Sequence, residues 1–318
     1  MRVIFTGTSD FAVPSLEAVI AAPQHDILAV ITQPDRPRGR GREMQMSPIK
    51  EVALEHSIPL MQPERIGGPE SVAAIKELGP VGAMIVVAYG QKITPELLAW
   101  PGQGVVNVHG SILPKYRGAA PIQHALLYGE KQTGVTTMLM DEGWDTGDIL
   151  LQDVIDIAPG ENAGELSERL ALLGSRLLVK TLNDIESGSI SPIRQDDDLA
   201  TIARSLEREA GYIDWSQPAD VTVNRVRGCT PRPGAYTRIN GVLVKVYHAE
   251  VVEPECRFGE PGEIVDISDR GIAVAAGSGS VRLVEVQAES RKRMPAAEFA
   301  RGGKLDLGAR FDVRAVAL

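Results

Sequence analysis

The chain reads as an α/β protein, a Rossmann-like parallel-sheet domain followed by a small, OB-like β-barrel. Three observations predict this. The chain opens by alternating apolar strands with helical periodicity, and its longest amphipathic helix lies over 165–188. From about residue 209 that periodicity gives way to short β-like runs broken by Gly, Pro, Asp and Ser. With 318 residues, two cores of roughly 150 each are the expected division.

Residues 2–6 (RVIFT) form a buried strand closed by Gly7, and from Pro14 the stretch PSLEAVIAA sets Leu16, Val19 and Ile20 at helical spacing. ILAVIT at 27–32 is a second strand, EVALEHS at 51–57 a second helix, and AMIVVAY at 83–89 a third strand ending at Gly90. After PELLAW, GVVNVHG supplies a fourth. Such an alternation implies a parallel sheet with right-handed crossovers, whose sites lie beyond the C-terminal strand ends. Tyr89-Gly90 and Asn107–Gly110 fall at such ends. GVTTMLMDEGWDTGDILL (134–151) has a β-rich start and an acidic, Gly-rich loop. Residues 189–208 are polar, carry three consecutive aspartates and read as a connection. The domains are therefore expected at 1–188 and 209–318, with 189–208 as linker.

The composition, 43% hydrophobic and 24% charged, is that of a globular protein. The opening MRVIFTGTSDF is too short in its apolar run for a signal peptide or membrane span, so a cytoplasmic protein with no membrane association is expected. Cys229 and Cys256 lack CxxC spacing and read as unpaired thiols. The net charge is −9, carried entirely by residues 1–208, with 18 basic against 27 acidic residues; residues 209–318 balance at 15 each. Within the acidic half stand Arg36, Arg38, Arg40 and Arg42, with Lys50 close behind, so any phosphate contact would be local. Pro34, Pro37, Gly39 and Gly41 interrupt any helix there.

The densest chemistry lies in NVHGSILPKYRGAAPIQ at 107–123. Side chains two apart on a strand share a face, so Asn107 and His109 emerge together. An amide that can donate to a developing oxyanion, beside an imidazole that can move protons, suits acyl-type transfer. A carboxylate to orient the imidazole would complete the set, and Asp141, Glu142, Asp145 and Asp148 all qualify. Taken singly, Asn107 is an ordinary turn former, His109 an ordinary buried histidine and the acidic loop an ordinary solvated turn. Asp141, Asp145 and Asp148 do not have EF-hand spacing, and GTSDF is not the dinucleotide-binding GxGxxG.

NVHGSILPKYRGAAPIQ followed by MDEGWDTGDIL resembles the folate-dependent formyltransferases. FTGTSDF (5–11), TQPDRPRGRGREMQMSPIK (32–50), VVAYGQKI (86–93), IDWS (213–216) and the barrel-like tail resemble the branch that formylates methionine on initiator tRNA. The resemblance covers nearly the whole chain. It implies Asn107, His109 and Asp145 as the catalytic trio, and 10-formyltetrahydrofolate as formyl donor. It further implies a folate site at Ser111, Ile112, Leu113 and Pro114, where Ile112 replaces a more usual Leu, with the pterin against Ala88, Tyr89, Gly90 and Asp141 through Thr146. Methionyl initiator tRNA is the implied partner; Arg36, Arg38, Arg40 and Arg42 offer it phosphate and base-edge donors, and the 209–318 barrel is expected to add a more diffuse contact through residues such as Arg291, Lys292 and Arg293. No metal, nicotinamide or stable protein partner is implied. TPRPGAY at 230–236 departs from a more usual NPWPGAY, losing an aromatic and adding Arg232.

Two alternatives remain open. One is another enzyme on the same scaffold, formylating an amino-sugar nucleotide or hydrolysing formyltetrahydrofolate; QPDRPRGRGR and the AYG stretch are not expected in the sugar-modifying relatives. The other is a non-catalytic RNA-binding protein using its barrel, against which the intact Asn107, His109 and acidic-loop set speaks.

Overall fold

A computed structural model describes residues 1–38, 43–253 and 259–313; Arg40, Arg42, Cys256 and the Arg38 side chain lie outside the described residues. The strands are β1 (Arg2–Gly7), β2 (Asp26–Ile31), β3 (Arg36–Arg38), β4 (Glu43–Gln45), β5 (Leu60–Met61), β6 (Ala83–Val87), β7 (Val105–His109), β8 (Gln132–Leu139), β9 (Ile149–Asp156), β10 (Ala235–Ile239), β11 (Val242–Glu253), β12 (Ile264–Ser268), β13 (Gly271–Ala275), β14 (Ser280–Ala288) and β15 (Met294–Pro295). The helices are α1 (Val13–Ile20), α2 (Pro48–Glu55), α3 (Pro69–Lys76), α4 (Pro95–Leu98), α5 (Pro121–Leu127), α6 (Ala163–Glu186), α7 (Ala219–Cys229) and α8 (Ala296–Gly303).

Two compact units result, Met1–Gly118 with Gly134–Ile155 and Ser167–Ile202, and Ala119–Thr133 with Asp156–Leu166 and Ala203–Leu318. The first is built on a seven-stranded sheet in the order β5-β2-β1-β6-β7-β8-β9. From β5 to β7 all neighbours are parallel, and β8 runs antiparallel to β7, so the sheet is mixed at that edge. β6 and β7 are buried at every position, as strands covered on both faces must be. Proline occupies the first or second position of each of α1 to α5, where its missing N–H costs nothing. Helix α2 begins at Pro48, three residues before the helix expected from periodicity, because Ser47 caps it through a 3.1 Å bond from the Lys50 N–H.

The second unit carries an antiparallel sheet in the order β10-β11-β14-β13-β12, with β15 on β14. Register shifts bend β11 along its pairing with β14. The segment 308–312 then ties the sheet's two edges together. Its Ala309 carbonyl accepts from Ile264 N–H at 2.8 Å, Phe311 N–H donates to Gly262, and Asp312 N–H donates to Arg238 on β10 at 2.9 Å. That closure converts an open sheet into a barrel and removes its free edges. Trp215 of the IDWS stretch lies fully buried inside, its Nε1 donating to Thr237 Oγ1 at 3.0 Å and its ring 5.6 Å from Phe311. Helices α5 and α7 pack within this unit at Gly228, where an added Cβ would meet Leu127 Cγ at 2.9 Å.

Phe311 therefore joins the closing segment to the core. Phe311→Ala is expected to destabilise the barrel unit by about 3–5 kcal/mol through lost burial and a residual cavity. Denaturant unfolding followed by Trp215 fluorescence measures this, and a change below about 1 kcal/mol would deny the segment that role.

Candidate active site

Strand β7 delivers Asn107 and His109 to the same side, 9% and 6% exposed. Its partners fix the register: Asn107 lies opposite Val86 on β6 and Met138 on β8, and His109 opposite Thr136. The acidic loop that follows β8 is held shut at its neck, where Leu139 N–H donates to the Asp148 carbonyl and Met140 N–H to Val105. Only glycine fits at Gly147, since a Cβ there would lie 1.8 Å from the Leu139 carbonyl oxygen.

Of the four acidic candidates, the fold carries Asp145 to the β7 pair. Its Oδ2 accepts from the Gly118 N–H at 2.8 Å and lies 3.7 Å from His109 Nδ1; its Oδ1 lies 3.4 Å from Asn107 Nδ2. Asp141 instead braces its own loop, accepting from Thr146 Oγ1 and from Gly143 N–H at 3.0 Å. His109 has its other nitrogen engaged: Nε2 lies 2.9 Å from the Tyr116 carbonyl oxygen, which can only accept. Nε2 therefore carries a proton, and in the neutral ring Nδ1 is the free base facing Asp145. Tyr116 reaches this position with φ +62°, its own N–H donating to Thr201 Oγ1 at 2.8 Å. Sequence reasoning missed the Tyr116 carbonyl and the Gly118 N–H, because main-chain groups have no compositional signature.

Residues 111–114 form a turn anchored on β8 and β9. Thr136 Oγ1 donates to the Ser111 carbonyl at 2.7 Å and accepts from Leu113 N–H at 3.1 Å and Gln152 Nε2 at 2.9 Å, which uses its full hydrogen-bonding capacity. Gln152 Nε2 also donates to the Leu113 carbonyl, and Ser111 Oγ to that of Lys115. Thus Ser111 serves the turn, while Ile112 and Pro114 stay partly exposed. The turn 88–90 follows β6, the neighbour of β7 on the side away from β8. Ala88 and Gly90 have φ +45° and +84°, and the Tyr89 carbonyl between them accepts from Gln33 Nε2 at 2.7 Å and Thr8 Oγ1 at 3.1 Å. The Tyr89 ring points inward, and burial pushes its hydroxyl up to about 12.

Arg36 and Arg38 lie not on an irregular loop but on β3, paired antiparallel with β4, and the Arg36 side chain is exposed. Lys50, which the sequence groups with these arginines, is committed elsewhere: its Nζ meets Asp35 Oδ2 at 2.6 Å. Hydrogen bonds from Lys50 and Gln62 hold the Asp35 carboxyl below the ordinary range. Among the described residues, no group of three or more His, Cys, Asp and Glu could hold a metal ion, and no helix is long and apolar enough to cross a membrane.

Residues 1–182 match the formyl transferase family, and residues 205–304 match the formyl transferase C-terminal domain. The chain is 49% identical over 305 residues to the methionyl-tRNA formyltransferase of Solibacter usitatus (strain Ellin6076), covering 96% of each chain. It is 46% identical to that of Geobacter metallireducens (strain ATCC 53774 / DSM 7210 / GS-15), covering 98% of each. Among solved structures, it resembles HypX from Aquifex aeolicus in complex with tetrahydrofolic acid, with TM-score 0.64 and 17% identity. The match covers 96% of this chain and 48% of HypX, so the chain spans about half that protein's length. It also resembles the N-formyltransferase from Helicobacter canadensis bound to folinic acid and dTDP-3-aminofucose, with TM-score 0.65 and 17% identity over 89% of this chain and 98% of that one. At such identities these two likenesses concern the fold.

Thr136→Val keeps the shape of the side chain but leaves the Ser111 carbonyl and the Leu113 N–H unpaired. A loss of about 1–3 kcal/mol in unfolding free energy is expected, the desolvation cost of stranded buried groups. Chemical denaturation measures it, and unchanged stability would show that the 111–114 turn does not depend on β8.

Proposed function

Since the chain belongs to the formyl transferase family, we infer that it moves the formyl group of 10-formyltetrahydrofolate onto the α-amine of methionine esterified to initiator tRNA. The acceptor follows the relatives that match nearly its whole length, and the donor follows the family and the tetrahydrofolate-bound structural neighbour. This acceptor would place the enzyme in the cytoplasm. The observation that carries the chemistry is the grouping of Asn107 Nδ2, His109 Nδ1 and the Asp145 carboxylate on one side of β7.

In this reading the acceptor nitrogen attacks the formyl carbon and forms the new C–N bond. Asn107 has two amide hydrogens. One points to Asp145, leaving the other to stabilise the tetrahedral oxyanion. His109 is anchored through Nε2 to the Tyr116 carbonyl, so Nδ1 takes the proton that the amine releases, and the Asp145 carboxylate 3.7 Å away stabilises the resulting imidazolium. Collapse of the intermediate breaks the bond between the formyl carbon and the folate nitrogen, which receives that proton and leaves as tetrahydrofolate. Ser111 through Pro114, the turn Ala88, Tyr89 and Gly90, and Asp141 are the folate contacts of this reading. Their support is an anchored turn on either side of the β7 pair. The arginines at 36, 38, 40 and 42 would grip tRNA phosphates, and among the described residues the Arg36 side chain is exposed on β3. The chain is divided in this reading into a catalytic domain at 1–188 and a tRNA-contacting barrel from 209.

The test supplies labelled 10-formyltetrahydrofolate with methionyl-tRNA, a nucleotide-linked amino sugar or water as acceptor. Label is expected on methionyl-tRNA; preferential transfer to the sugar, or formate release alone, would overturn the assignment. Asn107→Ala should lower turnover by about 10²–10³. Replacing Arg36, Arg38, Arg40 and Arg42 together by Ala should raise KM for methionyl-tRNA and flatten its salt dependence with folate affinity unchanged, and an unchanged salt slope would remove the arginines from the tRNA site.

A further inference from the structure

We propose that Gln195, in the segment that follows α6, is a positioning residue for this reaction, holding the Asp145 backbone in the one conformation that brings its carboxylate to His109. The proposal rests on the reading of Asp145 as catalytic. Asp145 has φ +55°, a left-handed conformation that residues with a Cβ adopt uncommonly. Gln195 imposes it from outside the loop. Its side chain is buried, 5% exposed, and its Nε2 spends both hydrogens on that backbone, donating to the Asp145 carbonyl at 2.8 Å and to the Gly147 carbonyl at 2.7 Å. The amide orientation is unambiguous, because turning it over would press its oxygen against two carbonyl oxygens.

The other end of Gln195 is held equally firmly. Its Oε1 accepts from Arg117 Nε at 3.0 Å, and Arg117, 6% exposed, pairs through Nη2 with Asp197 Oδ1 at 2.8 Å. The Arg117 N–H donates to the Thr201 carbonyl at 2.8 Å, while Ile193 and Ile149 exchange backbone bonds of 2.8 Å. Residues 193–201 are thus a strap laid across the acidic loop and the turn after β7. The contacts close into a circuit: the Asp145 carboxylate to the Gly118 N–H, along the chain to Arg117, through its guanidinium to Gln195, and back to the carbonyl of Asp145 itself. Both the backbone and the side chain of Asp145 are therefore fixed by one pair of adjoining residues and one glutamine.

If the circuit sets the carboxylate relative to His109 Nδ1, opening it should harm the chemical step and spare substrate binding. Gln195→Leu fills the same space without a donor, and Gln195→Glu keeps the shape but offers only acceptors. Each is expected to lower kcat by roughly 10–100-fold, the penalty for misplacing a reacting group by about 1 Å. KM for 10-formyltetrahydrofolate and methionyl-tRNA should stay within about threefold, as expected when only transition-state stabilisation is lost. In the Asp145→Ala background, Gln195→Leu should have no further effect on kcat, because the group it positions is gone. A loss of kcat that multiplies with that of Asp145→Ala, or a Gln195→Leu enzyme at full kcat beside an inactive Asp145→Ala enzyme, would overturn the proposal. Asp145→Ala at full turnover would instead overturn the reading of Asp145. Should Gln195→Leu fail to fold, Asp197→Ala at the exposed rim carries the test: about a threefold fall in kcat with unchanged KM is expected from loosening Arg117, and an undiminished kcat overturns the circuit.

Discussion

One carboxylate organises the candidate site. The Asp145 side chain meets a main-chain N–H at Gly118, the Asn107 amide and the His109 ring, and so draws three chain segments to a common point. The charge-assisted bond from Gly118 sets where the carboxylate lies. His109 is set independently, by the Tyr116 carbonyl on its far side. Two residues apart, Tyr116 and Gly118 therefore hold the two members of the pair from opposite ends. A shift of the 116–118 turn would disturb both, and the bonds from Thr201 to Tyr116 and Arg117 oppose such a shift.

The sheet supplies the rigidity this arrangement needs. Strand β7 is buried along its whole length between β6 and β8, and Asn107 and His109 inherit that rigidity. The loop carrying Asp145 has no such protection, since four of its residues from Asp141 to Trp144 are exposed. It is stiffened by polar contacts instead: Asp141 with Thr146 and Gly143, the neck at Leu139 and Asp148, and the two carbonyl bonds from Gln195. An exposed acidic loop with strained backbone costs stability, and the buried strands on either side offset it.

Much of this was legible in the residues, for identifiable reasons. The β1, β2, β6 and β7 strands are built on short, largely apolar runs, and the twofold period of a strand is enough to place Asn107 beside His109. Spacing could not choose among Asp141, Glu142, Asp145 and Asp148, because the choice is made by a left-handed residue and by contacts from 50 residues away. Helix α7 is hidden by the β-branched run Val221, Thr222, Val223 and Val226, which suits a strand, though Thr222, Val223 and Val226 are buried on the helix and Val223 and Val226 join the barrel core. The β3–β4 pairing is hidden because Pro34, Pro37, Gly39 and Gly41 mark in the sequence only that no helix can form. Residues 189–208 read as a connection because they are polar and acidic, yet polarity does not distinguish a solvated linker from a strap in which one buried residue, Gln195, is spent on backbone carbonyls.

Everything chemical in the proposed reaction turns on which nitrogen of His109 is free. The geometry commits Nε2 to the Tyr116 carbonyl and leaves Nδ1 toward Asp145. Nitrogen-15 spectra of the selectively labelled ring, followed against pH until the imidazole is neutral and assigned with a His109→Gln control, read this directly. The account predicts a neutral ring with its proton on Nε2 and an unprotonated Nδ1; a neutral ring protonated at Nδ1 would contradict it.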